Sequence, residues 1–157
     1  MKNAWMTLLF TLLAVSSATA LTQGSETEQE QARRDRLHAA VQKICPVSGQ
    51  TLGAHGDPIK VKIGKEEVFL CCRECAKKQV DRKHWGTIHA NFAKAQGICP
   101  IMKKELPKKP KYTVVEGQIV YVCCPPCTKK IEADSRTYTK KVDDLYLASL
   151  KDKTSRR

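Results

Sequence analysis

The chain has 157 residues, with 28 Lys+Arg against 16 Asp+Glu, a formal net charge of +12 and eight Cys. That length allows one domain or two small ones and excludes a large α/β enzyme domain. At 41% hydrophobic residues the chain is too apolar to be disordered throughout, and its cysteine content is high without reaching that of a pure disulfide scaffold.

The first segment, MKNAWMTLLFTLLAVSSATA, has a positive start at Lys2, an apolar run from Trp5 to Val15 and the small-x-small triplet Ala18-Thr19-Ala20. These features predict a secretory signal peptide over residues 1–20, cut after Ala20. The apolar run is shorter than the ~20 residues that span a bilayer. With no Cys at the cut there is no lipid attachment signal. Cleavage removes one Lys, so the mature chain keeps +11 of the +12. The expected location is secreted or periplasmic, which points away from nucleic acid as a partner and makes disulfides the default state of paired cysteines.

Residues 21–43 are polar. Ser25 followed by Glu28 has capping-box spacing, and Leu37, Ala40 and Val41 form a weak apolar stripe, so we expect a flexible leader and then one helix.

A duplication follows. Ile44-Cys45-Pro46-Val47 recurs as Ile98-Cys99-Pro100-Ile101, at an offset of 54. Val68-Phe69-Leu70-Cys71-Cys72-x-x-Cys75-x-Lys77-Lys78 recurs as Val120-Tyr121-Val122-Cys123-Cys124-x-x-Cys127-x-Lys129-Lys130, at an offset of 52. Two copies are too few for a solenoid, so the pattern predicts two tandem modules over residues 44–96 and 97–150, joined near Gln96-Gly97. In module one Ile59–Ile63 alternates as a strand, Gly64-Lys65 turns, Glu67–Leu70 is a second strand, and Glu74–Arg82 reads as a helix. In module two the strands are Tyr112–Glu116 and Ile119–Val122 about a Gly117-Gln118 turn, and Thr128–Asp134 is the helix. Trp85 and Tyr138 are read as core residues, and the basic tail 151–157 as disordered. The expected fold class is α+β: an N-terminal helix and two modules, each a β-hairpin followed by a short helix around a Cys cluster, in the manner of zinc ribbons or treble clefs.

A core of about 50 residues needs a staple. Cys71 and Cys75 at a strand-to-helix junction can face one point, and Cys45 from a distant loop can close the site. Such thiolate sets suit zinc or copper. The expected metal ligands are Cys45, Cys71, Cys72 and Cys75, and Cys99, Cys123, Cys124 and Cys127. The fourth ligand stays open. Cys72-x-x-Cys75 has knuckle spacing, but adjacent cysteines on an extended chain point apart. Module one also offers His55, His84 and His89, module two has no His, and Met102 could lend a thioether.

The order of a Cys-Pro-Val-Ser-Gly loop at residues 45–49, a hairpin with a glycine turn, and aromatic-x-Cys-Cys-x-x-Cys resembles the YHS and related TRASH domains. The resemblance covers roughly residues 44–86 and 98–140 and implies heavy-metal sensing, trafficking or resistance. Cys71/Cys75 and Cys123/Cys127 match the family's cluster directly. The family's loop Cys falls on Ser48 and Met102, with Cys45 and Cys99 displaced from it.

Three functions follow as alternatives. The first is an exported protein that binds zinc or copper for storage, delivery or resistance, with an envelope metal-handling protein as partner. The second is a metal-free, disulfide-stapled interaction module. The third is a thiol redox protein, for which the usual βαβ context is missing. No Ser/His/Asp order, phosphate loop or paired acids point to other catalysis, so no enzyme activity is expected. The lysine runs read first as solvated surface, and otherwise as contacts to anionic lipid heads or wall polymers.

Overall fold

In the computed structural model the described residues are 19–155. The export segment predicted over residues 1–20 therefore lies, through residue 18, outside them. Among the described residues the class is α+β, with four α-helices and two antiparallel hairpins.

The first helix, α1, runs Thr19–Gln42, so positions 25 and 28, expected at a helix start, lie within a helix that begins earlier. The predicted flexible leader is helical. Its residues 27–32 are exposed, while Leu37 and Val41, one helical turn apart, are buried. Residues Arg33–Arg157 pack as one compact unit.

The hairpins fall where alternation places them. Strand β1 (Ile59–Ile63) pairs with β2 (Glu66–Leu70), Val61 opposite Val68. Strand β3 (Lys111–Val115) pairs with β4 (Gln118–Val122), Thr113 opposite Val120. The second turn is Glu116-Gly117, one residue earlier than expected, with φ of 52° and 80° at the two positions. Two positive φ values in sequence match the right-handed twist of the strands. At Gly117 a Cβ would also strike the Glu67 side chain, because the Glu67 N–H donates to the Gly117 carbonyl at 2.7 Å and draws the two hairpins together.

The helices after the clusters depart from expectation. Residues Arg73–Lys77 form only a short 3-10 turn, and the chain is extended at Lys78. A new helix, α2 (Arg82–Gln96), then starts where the Asp81 carboxylate accepts from the backbone N–H groups of Lys83 and His84. The predicted helix over Glu74–Arg82 is thus broken in its middle and displaced. Ile88, Phe92 and Ala95 line the buried face of α2, and Gly97, at φ 66°, ends it. In the second half α3 (Pro126–Ala133) is close to expectation, but α4 (Ser135–Ser155) runs into the tail expected to be disordered.

One core joins α1, α2, the β3–β4 hairpin, α3 and α4 around Val41, Phe92, Val120, Ile131 and Tyr146. A smaller core of Cys45, Leu70, Cys71 and Cys75 lies under the β1–β2 hairpin. Trp85 and Tyr138 are half-buried. No described helix is long and apolar enough to cross a membrane.

Candidate metal centres

The same scaffold supports both cysteine clusters. At the end of α1 Lys43 takes φ 69°, and at the end of α2 Gly97 takes φ 66°. The Cys45 N–H then donates to Gln50 O and Gly49 N–H to Cys45 O, at 2.8 and 3.0 Å. Cys99 N–H donates to Lys104 O and Lys103 N–H to Cys99 O, at 2.8 and 2.9 Å. Isolated bridges Ile44–Thr51 and Ile98–Glu105 close the two loops.

One glutamine ties each loop to its hairpin. The buried Gln42 amide donates to Ile44 O (2.9 Å) and Phe69 O (2.7 Å) and accepts from Phe69 N–H (2.8 Å). The buried Gln96 amide does the same with Ile98 O (2.9 Å), Tyr121 O (2.7 Å) and Tyr121 N–H (2.9 Å). Phe69 and Tyr121 each stand two residues before a Cys pair, so each clamp fixes a loop cysteine against a cluster. These glutamines were missed in the sequence. Their shared place, two residues before each Ile-Cys-Pro, is a signal that extending the repeat would have caught.

In the first site the Sγ atoms of Cys45, Cys71 and Cys75 all lie within 4.8 Å of one another. The Cys71–Cys75, Cys72–Cys75 and Cys71–Cys72 separations are 3.7, 3.6 and 3.9 Å. In the second site Cys99, Cys123 and Cys127 form the corresponding triad. Cys124 lies 3.8 Å from Cys123 and 3.0 Å from Cys127. All eight thiols are free, and even 3.0 Å is far from the ~2.05 Å of a disulfide. Sulfurs set about 2.3 Å from a central ion at tetrahedral angles are separated by about 3.8 Å. Each triad therefore offers three sulfurs to a soft or borderline cation, while Cys72, which is exposed, and Cys124, half-buried like Cys123, lie outside the sets whose sulfurs all stand within 4.8 Å of one another, and the 3.0 Å between Cys124 and Cys127 is shorter than that ideal spacing.

The local fields divide the thiols by role. Burial pushes Cys45 up, but hydrogen bonds from the backbone of Ser48, Cys71 and Val47 and from the Ser48 side chain outweigh it, bringing Cys45 down to about 6. Burial likewise raises Cys99, and backbone hydrogen bonds from Met102, Cys123 and Ile101 bring it below the ordinary thiol value. Burial pushes Cys75 up to about 12 and, with hydrogen bonding to the neighbouring thiol of Cys124, Cys127 up to about 12. A negative charge placed in the first cluster thus settles first on Cys45, where N–H groups already point at sulfur, and in the second cluster Cys99 and Cys124 are both held below the ordinary thiol value. Ser48, whose hydroxyl lies 3.3 Å from Cys71 Sγ, belongs to this shell.

No histidine joins either sulfur triad among the described residues. His55 is exposed. His84 packs against Gly49, where a Cβ would meet its ring at 2.6 Å. His89 is engaged elsewhere, its Nε2 3.1 Å from a Glu66 carboxylate oxygen and its Nδ1 2.8 Å from the Tyr121 hydroxyl. Met102 is 48% exposed.

Comparison of the chain with protein-family models, with curated proteins and with solved structures gives no match.

Proposed function

We propose that the chain is an exported protein that binds a thiophilic metal ion, zinc or copper, through one four-cysteine site in each of two tandem zinc-ribbon-like modules, for storage, delivery or resistance. The observation that carries this is the spacing of unbridged sulfurs, 3.6–3.9 Å in the first site, on a scaffold whose hydrogen bonds recur in the second. Cys45, Cys71, Cys72 and Cys75 would hold one ion, and Cys99, Cys123, Cys124 and Cys127 the other. The chemistry supplied is Lewis-acid binding by thiolate, with no step of catalysis assigned. Support comes from three directions: the sulfur-only donor sets, the backbone N–H groups aimed at Cys45 and Cys99, and the small core of the first half, which a metal would reinforce. The likeness to YHS and TRASH domains belongs to the same proposal and rests on the motif residues alone. The disulfide alternative would need a cluster to move, since no pair stands at bonding distance.

Cobalt substitution tests the reading. The reduced, metal-free chain titrated with Co(II) is expected to develop sulfur-to-metal charge-transfer and tetrahedral d–d bands that saturate at two equivalents. Cys71→Ser with Cys75→Ser, and separately Cys123→Ser with Cys127→Ser, should each leave one. Absence of charge-transfer absorption from reduced protein would overturn the proposal.

A further inference from the structure

The two halves form an internal comparison, because the backbone hydrogen bonds around their loop cysteines match position by position while their surface charges do not. Between the loop cysteine and the first strand, residues 46–58 carry one acid, Asp57, and no Lys or Arg. The corresponding residues 100–110 carry Lys103, Lys104, Lys108 and Lys109 against the single Glu105. The same loop is therefore net −1 at the first site and net +3 at the second. Lys103 and Lys104 stand where the first half has Gly49 and Gln50, since each pair makes the same bonds to its loop cysteine. Lys111, opposite Val122 and thus beside Cys123, stands where the first half has Ile59 opposite Leu70.

All five of these lysines are exposed, and none has an ion-pair partner among the described residues. By contrast Lys60 in the first hairpin is engaged with Asp35 and Glu67, and Lys77 lies 3.4 Å from Glu74. The second loop also presents Met102, one of two large apolar side chains that are exposed among the described residues, where the first has Ser48 turned in toward Cys71. Unpaired like charges crowded onto one loop repel one another and are relieved by an anionic counterpart. A methionine at their centre gives such a counterpart an apolar anchor.

We propose that the lysine rim of the second cluster is a docking surface for an acidic protein partner, which exchanges metal with this cluster and not with the first. The exchange rests on the metal-binding reading above; the docking surface does not. A protein is the occupant the arrangement favours. Lys103 and Lys104 are bonded to the backbone of Cys99, Lys111 stands opposite the residue before Cys123, and the same cluster holds the half-buried Cys124; ligand exchange there needs competing ligands brought to bonding distance along with the negative charge. An acidic protein surface supplies both, and a lipid surface supplies the charge alone.

The probe is a fluorescein-labelled oligoglutamate peptide, with binding to the full reduced, zinc-treated chain followed by anisotropy. Lys103→Glu with Lys104→Glu is expected to weaken binding about tenfold or more, because like charges would then face each other at the contact. Lys62→Glu with Lys65→Glu, an equal charge change at the exposed end of the first hairpin, is expected to change it about twofold at most, the residue of long-range charge after screening. Lys103→Gln with Lys104→Gln, with its circular dichroism spectrum unchanged, should give an intermediate loss. Equal weakening by both charge reversals would overturn the proposal by showing that net charge alone is read. Failure of the peptide to bind, or rim-dependent binding to phosphatidylglycerol vesicles in its place, would overturn it too. Metal content of the same samples keeps the two readings apart: a metal-free chain that still binds the peptide through Lys103 and Lys104 keeps the docking surface and loses the metal reading.

Discussion

Replacing Gln96 with Met removes three hydrogen bonds while nearly keeping the shape of the side chain. The amide is 2% exposed and bonds Ile98 O at 2.9 Å, Tyr121 O at 2.7 Å and Tyr121 N–H at 2.9 Å. Each buried bond contributes about 1 kcal/mol net, and stranding a buried N–H costs about 1–3 kcal/mol more, so the expected loss is about 4–6 kcal/mol. That is a large share of the roughly 5–15 kcal/mol by which a domain is stable. Urea titration of the reduced, metal-free protein, followed by circular dichroism, reads the effect. With a slope of about 2 kcal/mol/M the midpoint should fall by about 2–3 M. Gln42→Met, which breaks the same three bonds in the first half, should lose a comparable amount. The exposed Gln79→Met should stay within about 0.5 kcal/mol. A loss below about 1 kcal/mol for both clamp variants would refute the reasoning, by showing that the two strands hold their loops without the glutamines.

Tyr146→Phe is expected to leave stability unchanged or raise it by about 1 kcal/mol, because the fully buried hydroxyl has no hydrogen-bond partner among the described residues; a loss of that size in thermal melts would contradict this. Iodoacetamide with mass mapping of the reduced, metal-free chain should label Cys72 and Cys124 first, since Cys72 is exposed, Cys124 is half-buried, and hydrogen bonds from Cys75 and Cys127 lower them, and Cys75 and Cys127 last; equal rates would contradict the assignment. Burial alone would raise Asp143, but the hydrogen bond and charge of His38 and the Arg34 charge hold it below the usual carboxylate value. Its contribution is therefore present above the unfolded carboxylate value and lost as pH falls through the lower folded one, so Asp143→Asn should flatten the acid side of the stability profile, and an unaltered profile would count against it.

How much was legible from residues follows from the range over which each signal acts. The hairpins were readable because strand alternation and glycine turns are local, as in Ile59–Ile63 with Gly64. The convergence of each loop cysteine on its cluster was readable because the duplication repeats both parts together. The helix after the first cluster was misplaced because Asp81 restarts the chain, a capping effect that competes with the helix-forming run before it. The extent of α4 was missed because Val142 and Tyr146 are buried by α2 and β4, partners that periodicity in one segment does not reveal. His89 offered itself as a ligand in sequence and proved to be held by Glu66 and Tyr121, because residue type alone carries no information about neighbours distant along the chain.

The central claim is tested most directly by elemental mass spectrometry of the chain purified from its native compartment without chelator, with a thiol count after denaturation. The account predicts about two equivalents of zinc or copper and eight titratable thiols per chain. No bound metal together with no free thiol would contradict it and leave a disulfide-stapled module.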